Sequence, residues 1–144
     1  MQSTIDVARP PEEVFAYATD PARFGEWQRD VMSVNTEGDA PLTVGARFTT
    51  IRRIRGTDRA MTQEVTESTP PYTWSARGID GPIRPSARVT VEPGPDGAGS
   101  RVTFDLDFEA HGIGVALLPL VRRQAERSAP ISYRRFKELL EARD

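Results

Sequence analysis

The 144-residue chain contains no cysteine and one histidine, His111. Disulfide bonding, thiolate chemistry and a histidine-based metal cluster are therefore excluded. Lysine is almost missing as well. Lys137 is the only one, so the cationic side chains are arginines, a skew that GC-rich coding accounts for. Neither sign of charge dominates: the formal net charge is −2, and no electrostatic argument favours nucleic acid as a partner. No apolar run reaches the roughly 20 residues that a membrane-crossing helix needs. The opening segment MQSTIDVARP lacks the charged and apolar regions of a secretion signal, so a cytoplasmic location is expected. No glycine-rich phosphate cradle occurs and no catalytic triad or dyad has a recognisable spacing. Neither a metal nor a cofactor is therefore expected. Hydrophobic residues make up 38% of the chain, low but sufficient for one core, and the length suits a single domain over residues 1–144.

What the chain does have is alternation. In RVTFDLDFEA, Val102, Phe104, Leu106 and Phe108 share one parity, while Arg101, Thr103, Asp105 and Asp107 share the other. That pattern defines an antiparallel strand with one buried and one wet face. Similar runs are expected at Ser3 to Ala8, Val31 to Glu37, Ala46 to Arg55, Arg59 to Glu67, Tyr72 to Arg77 and Pro85 to Glu92. Turn signals separate them: Gly38-Asp39, Gly56-Thr57-Asp58, Pro70-Pro71, Gly78 to Pro82, and Pro93 to Gly97. Two short helices interrupt the strands after the first. One opens at Pro11 with Glu12 and Glu13 in its first turn. The other opens at Asp20-Pro21, with Asp20 as cap and Phe24 and Trp27 as its apolar residues.

The C-terminal third forms one long helical stretch. Ile113, Leu117, Leu120, Val121, Gln124, Ala125, Ser128, Ile131, Phe136, Leu139 and Leu140 recur at helical spacing. Pro119 and Pro130 predict a kink or restart at each point, with the turns before Pro119 forming a lid or the helix beginning near Leu118. A helix lying on the sheet's apolar face carries aliphatics there when it only fills a core. Gln124 and Ser128 interrupt that face and point to a cavity.

This element order, with STIDVARPPEEVFAYATDPARFGEWQ at the start, PLTVGARF before the third strand, EVTESTPPYTWSAR at mid-chain and GSRVTFDLDFEAHGIG before the last helix, resembles the polyketide cyclase/dehydrase-type branch of the START-like (SRPBCC) superfamily. The segment PPEEVFAYATDPARFGEW is its most specific part. The resemblance implies an α+β helix-grip fold: a seven-stranded antiparallel sheet around a long C-terminal helix, two short helices after strand one, and an internal pocket for an apolar or aromatic small molecule. Such folds serve cyclases, dehydratases, lipid carriers, ubiquinone-binding proteins and hormone receptors, so the fold alone does not choose an activity.

On that fold, Phe48, Met61, Trp74, Val89, Phe104, Leu106 and Phe108 are candidates for the sheet's inner face. Leu117, Val121 and Gln124 face them from the helix. Trp27 falls where the cavity mouth closes, as rim contact or as plug. Gln63, Tyr72, Tyr133 and Gln124 offer hydrogen bonds to a polar ligand group. His111, beside Gly112 at the expected mouth, is the one side chain with an ordinary pKa near neutrality and the candidate for proton transfer. Of Arg52 and Arg53, opposite in parity, one faces inward and could polarise a carbonyl; Glu64, Glu67, Asp105 and Asp107 are its candidate carboxylate partners. Three functions follow: a cyclase/dehydratase-like enzyme working by metal-free acid–base catalysis; a non-catalytic carrier or sensor for a lipid, quinone or polyketide; or a domain with too small a pocket for a ligand, leaving a protein–protein role. Assembly as monomer or homodimer stays open.

Overall fold

The computed structural model describes residues 1–37, 43–95 and 97–143. Strands β1 (Gln2–Val7), β2 (Val31–Thr36), β3 (Arg47–Ile54), β4 (Thr57–Thr69), β5 (Thr73–Gly78), β6 (Ile83–Pro93) and β7 (Ser100–Ala110) build one sheet. Its order is β1-β7-β6-β5-β4-β3-β2, antiparallel at every pairing. Helix α1 (Pro11–Ala18) and a 3-10 turn (Pro21–Arg23) running into α2 (Phe24–Trp27) separate β1 from β2. Helix α3 (Gly114–Glu141) closes the fold. The expected seven strands, two short helices and long last helix are all present, each strand within about two residues of its expected bounds. The Gly38-Asp39 strand end, Pro41 and Leu42 of the PLTVGARF segment, and Asp96 of the β6–β7 loop lie outside the described residues.

Local chemistry sets the boundaries. Pro11 takes the first helical position of α1, where its missing amide costs nothing, and Glu12 and Glu13 complement the helix dipole. The Asp20 carboxylate accepts from the Ala22 amide at 3.0 Å and starts the 3-10 turn. Between β3 and β4 the turn is tighter than the sequence implied. Arg55 and Gly56 alone make it, at φ 52° and 81°, so Thr57 and Asp58 already pair with Ile54 and Arg53. Two successive left-handed residues match the twist of a two-residue hairpin.

Period-two burial runs across the sheet. Trp74 and Ala76 of β5, Val89 and Val91 of β6, and Val102 and Phe104 of β7 are buried on one face. The opposite face carries a continuous polar row, Glu67–Ser75–Arg88–Asp105–Gln2, in register over five strands. Onto the apolar face α3 presents Val121, Ser128, Ala129, Ser132, Tyr133, Phe136 and Leu140. Ile113, Leu120, Ile131 and Leu139, expected on that face, are exposed.

Neither proline restarts α3; the helix spans Gly114–Glu141 with Pro119 and Pro130 inside it. A proline removes its own amide bond and crowds the carbonyl four residues before it, and the packed stripe from Val121 to Leu140 outweighs that cost. The helix also begins before Leu118, because Gly114 lets it approach the β5–β6 loop. A Cβ at position 114 would collide with the Pro82 carbonyl oxygen. At the other end Arg9 Nε donates to the Leu140 carbonyl at 2.9 Å, and Lys137 Nζ donates to the Asp6 carbonyl at 2.6 Å. Both contacts tie the last turns to β1 and the loop behind it, and cations there meet the negative end of the helix dipole.

Candidate functional site

Packing leaves a cavity of about 140 Å³ between α3, α2 and the apolar sheet face. Of the candidate ligand-binding residues, Trp27, Met61, Gln63, Trp74, Phe104, Leu106, Phe108, Val121 and Gln124 line it. Phe48 and Leu117 stand behind the wall. Phe48, 1% exposed, is wedged between Phe24 and Trp74 at ring-centroid distances of 5.8 and 6.1 Å. Leu117 packs with Ile54, Met61, Ile83 and Val121 in a second, smaller apolar cluster.

Trp27 is the plug. Its ring packs 4.9 Å from Phe136, 5.7 Å from Phe104 and 6.4 Å from Tyr133, and only 4% of the residue is exposed. Phe104 and Tyr133 stack face to face at 4.1 Å. This aromatic block holds α2 and α3 against β7. The indole N–H groups of Trp27 and Trp74 are buried and have no hydrogen-bond acceptor among the described residues.

Arg52 is the inward member of the arginine pair. On β3 it shares parity with buried Phe48, Thr50 and Ile54, so its side chain reaches the cavity wall. Arg53 turns outward, and its Nε donates to Asp58 Oδ1 at 2.9 Å in an exposed ion pair. The Arg52 guanidinium donates to Gln28 Oε1. Among the described residues no carboxylate lies within 4.0 Å of it. Its four expected partners are turned elsewhere: Glu64 faces Arg47, Glu67 takes Arg88, Asp105 takes Gln2, and Asp107 faces Arg122. Burial pulls the Arg52 pKa down, opposed by the negative charge of Asp30 and by Tyr133. The same burial pushes the Tyr133 phenol up to about 12, with Arg52 pulling against it and Asp105 adding to it. Arg52 thus stays a cation, and Tyr133 a neutral hydroxyl able to donate.

Gln124 both lines the wall and clamps the fold. Its Nε2 donates to the Arg53 carbonyl at 2.8 Å, and its Oε1 accepts from the Arg55 amide at 3.1 Å. Both ends of the amide are used on the β3–β4 turn, which fixes that hairpin to α3. Gln63 is 5% exposed, and its Nε2 sits 3.5 Å from Thr50 Oγ1, at the limit of a hydrogen bond.

His111 stands apart from this chemistry. It follows β7, its amide donates to the Pro82 carbonyl at 2.8 Å, and its imidazole faces Glu109 at 3.8 Å on the surface. The residue lies outside the cavity wall because β7 runs past the cavity before it ends at Ala110. Tyr72 is likewise exposed. The sequence reading missed Gln28, Asp30 and Ser132. The first two sit in the short connection from α2 to β2, where no periodicity assigns a direction. Their one signal is a polar Gln-Arg-Asp triplet directly after a buried tryptophan.

A seven-stranded antiparallel sheet holding a long C-terminal helix, with an aromatic-walled cavity between them, defines a helix-grip, START-like domain. The chain belongs to the polyketide cyclase / dehydrase and lipid transport family, whose model matches residues 1–141. No curated protein matches it. Among solved structures, a protein from Thermus thermophilus is similar at 18% identity, with 99% of this chain and 97% of that one covered and a TM-score of 0.78. A START superfamily protein from Mycobacterium smegmatis is similar at 16% identity, over 98% and 96% of the two chains, with a TM-score of 0.75. BexL, the di-domain ARO/CYC protein of the BE-7585A biosynthetic pathway, is 14% identical. All of this chain aligns with 50% of that one, at a TM-score of 0.71. These likenesses extend to the fold. Among the described residues no helix is long and apolar enough to cross a membrane.

Proposed function

We propose that the protein binds an apolar or aromatic small molecule in the cavity between α3 and the sheet, and that it does so as a carrier or sensor. The observation that supports this is the cavity itself: an aromatic wall with one cation, Arg52, that makes no ion pair among the described residues, and no histidine, lysine or cysteine among its lining residues. A wall of that composition favours holding a ligand over shuttling protons near neutral pH.

A cyclase/dehydratase-like reading is favoured by one specific observation: Arg52 and Tyr133 line the same cavity. A guanidinium and a phenol that both donate to one carbonyl oxygen would polarise that carbonyl, with His111, outside the cavity wall, taking no part. Native mass spectrometry of the purified protein separates occupied from empty domains. We expect adducts of small-molecule mass that disappear in Ala125→Phe, which fills the cavity from α3. A wild-type spectrum with no adduct, together with no uptake of added toluene, would leave the protein–protein role as the better account.

A further inference from the structure

We propose that the occupant is a one-ring aromatic molecule carrying an anionic oxygen head, and that Arg52 receives that head. This rests on the binding function proposed above and narrows it to a ligand class.

Size is the first support. The cavity volume is about 140 Å³. A closed apolar cavity of roughly 150 Å³ admits benzene, whereas drug-sized ligands occupy sites of roughly 300–1,000 Å³. One ring with a short substituent fills that space; a fused polycycle or an acyl chain would have to project through the cavity's open side.

Charge is the second. Four charged residues contribute to the wall: Asp30, Arg52, Arg88 and Asp105. Two of them are occupied on the far side of the sheet. Arg88 pairs with Glu67 and Ser75, and Asp105 accepts from Gln2 Nε2 at 2.9 Å. Arg52 and Asp30 remain. A guanidinium carries five N–H donors, and the hydrogen bond to Gln28 uses one of them. Asp30 adds a negative charge nearby without making an ion pair, so it sustains the cation and leaves the donor fork open.

Hydrogen bonding is the third. The Trp27 and Trp74 indoles on the same wall carry N–H groups with no acceptor among the described residues. Both indole N–H groups lie below the wall's surface, so the donors that a ligand meets are those of the Arg52 guanidinium. A donor that has lost hydration recovers it from an acceptor. A ligand carboxylate supplies one and matches the planar guanidinium with two parallel bonds.

Calorimetric titration with four probes tests each part: benzoate, its neutral isostere benzamide, toluene, and 2-naphthoate. At pH 7 benzoate should bind at least about 10-fold tighter than benzamide, since hydrogen bonds to a charged group are the strong ones. Arg52→Gln should weaken benzoate by about 10- to 100-fold and leave toluene unchanged, which also shows that the variant is folded. Arg52→Lys keeps the charge without the fork and should fall between the two. Asp30→Asn should strengthen benzoate by removing a like charge. Benzamide or toluene binding as tightly as benzoate, or Asp30→Asn weakening benzoate, would overturn the anionic head while leaving the cavity's binding role standing. Tighter binding of 2-naphthoate than of benzoate would overturn the size. Failure of all four probes, toluene included, would overturn the binding function itself.

Discussion

Replacing Arg52 with methionine should make the protein more stable. Removing a charge from a cavity normally leaves its partner stranded and costs several kcal/mol, yet among the described residues Arg52 has no carboxylate within ion-pair distance to strand. What is lost is the hydrogen bond to Gln28, about 1.5–3 kcal/mol for a charged donor. Gln28 is only half-buried, so its freed amide can turn to water. What is gained is relief from holding a partly buried guanidinium, a share of the several kcal/mol that full burial of an ion costs, together with apolar surface in a wall that also carries Trp27 and Tyr133. Methionine is flexible enough to fill the vacated space. The difference favours the variant by about 1–3 kcal/mol. For a chain of this length that is roughly 3–9 °C in Tm. Urea unfolding followed by far-UV circular dichroism measures it, with an unchanged m-value as the check on two-state behaviour. A variant no more stable than the parent would mean that Arg52 is part of the structural framework. The argument that its charge is kept for a ligand would then fail.

Two further outcomes follow from the same geometry. Gln124→Ala removes both bonds between α3 and the β3–β4 turn, at about 1 kcal/mol each, so stability should drop by about 2 kcal/mol and the Arg55 amide should exchange faster with solvent; unchanged exchange at Arg55 would show that the clamp does not hold the hairpin. Tyr17 and Tyr133 should ionise near 12, both chiefly through burial, with Glu26 adding to the effect on Tyr17. Because the unfolded phenols ionise first, near 10.0, the stability these residues contribute is complete below that pH and is lost as pH rises toward 12. Absorbance titration of the phenolate band reads this directly, and full ionisation of all three tyrosines by about pH 11 would contradict it.

Much of the fold was legible because a sheet with one buried face writes its parity into the chain. Val102 and Phe104 set the inward face of β7, and Val89 and Val91 that of β6. The direction of Arg52 was open because Thr and Arg alternate through β3 on both faces. The deciding signal was nevertheless present: Phe48 and Ile54 share the parity of Arg52 and are buried. His111 was misplaced for a different reason. Sequence order puts it next to the end of β7, but the cavity is walled by the middle of that strand, about three residues earlier. Pro119 and Pro130 do not restart the helix: local propensity counts the lost amide and not the packing that keeps the helix continuous. Gln28 and Asp30 were out of reach, since a connection without periodicity gives a side chain no predictable direction.

The chain's two tryptophans both line the cavity, and both indole N–H groups lack an acceptor among the described residues. Their side-chain resonances in a ¹⁵N–¹H correlation spectrum are therefore the most direct probe of whether the cavity is a binding site. Titration with benzoate should move both indole signals together, with a common saturation point, while the His111 amide stays in place. Binding that shifts surface amides and leaves both indole signals unmoved would contradict the account.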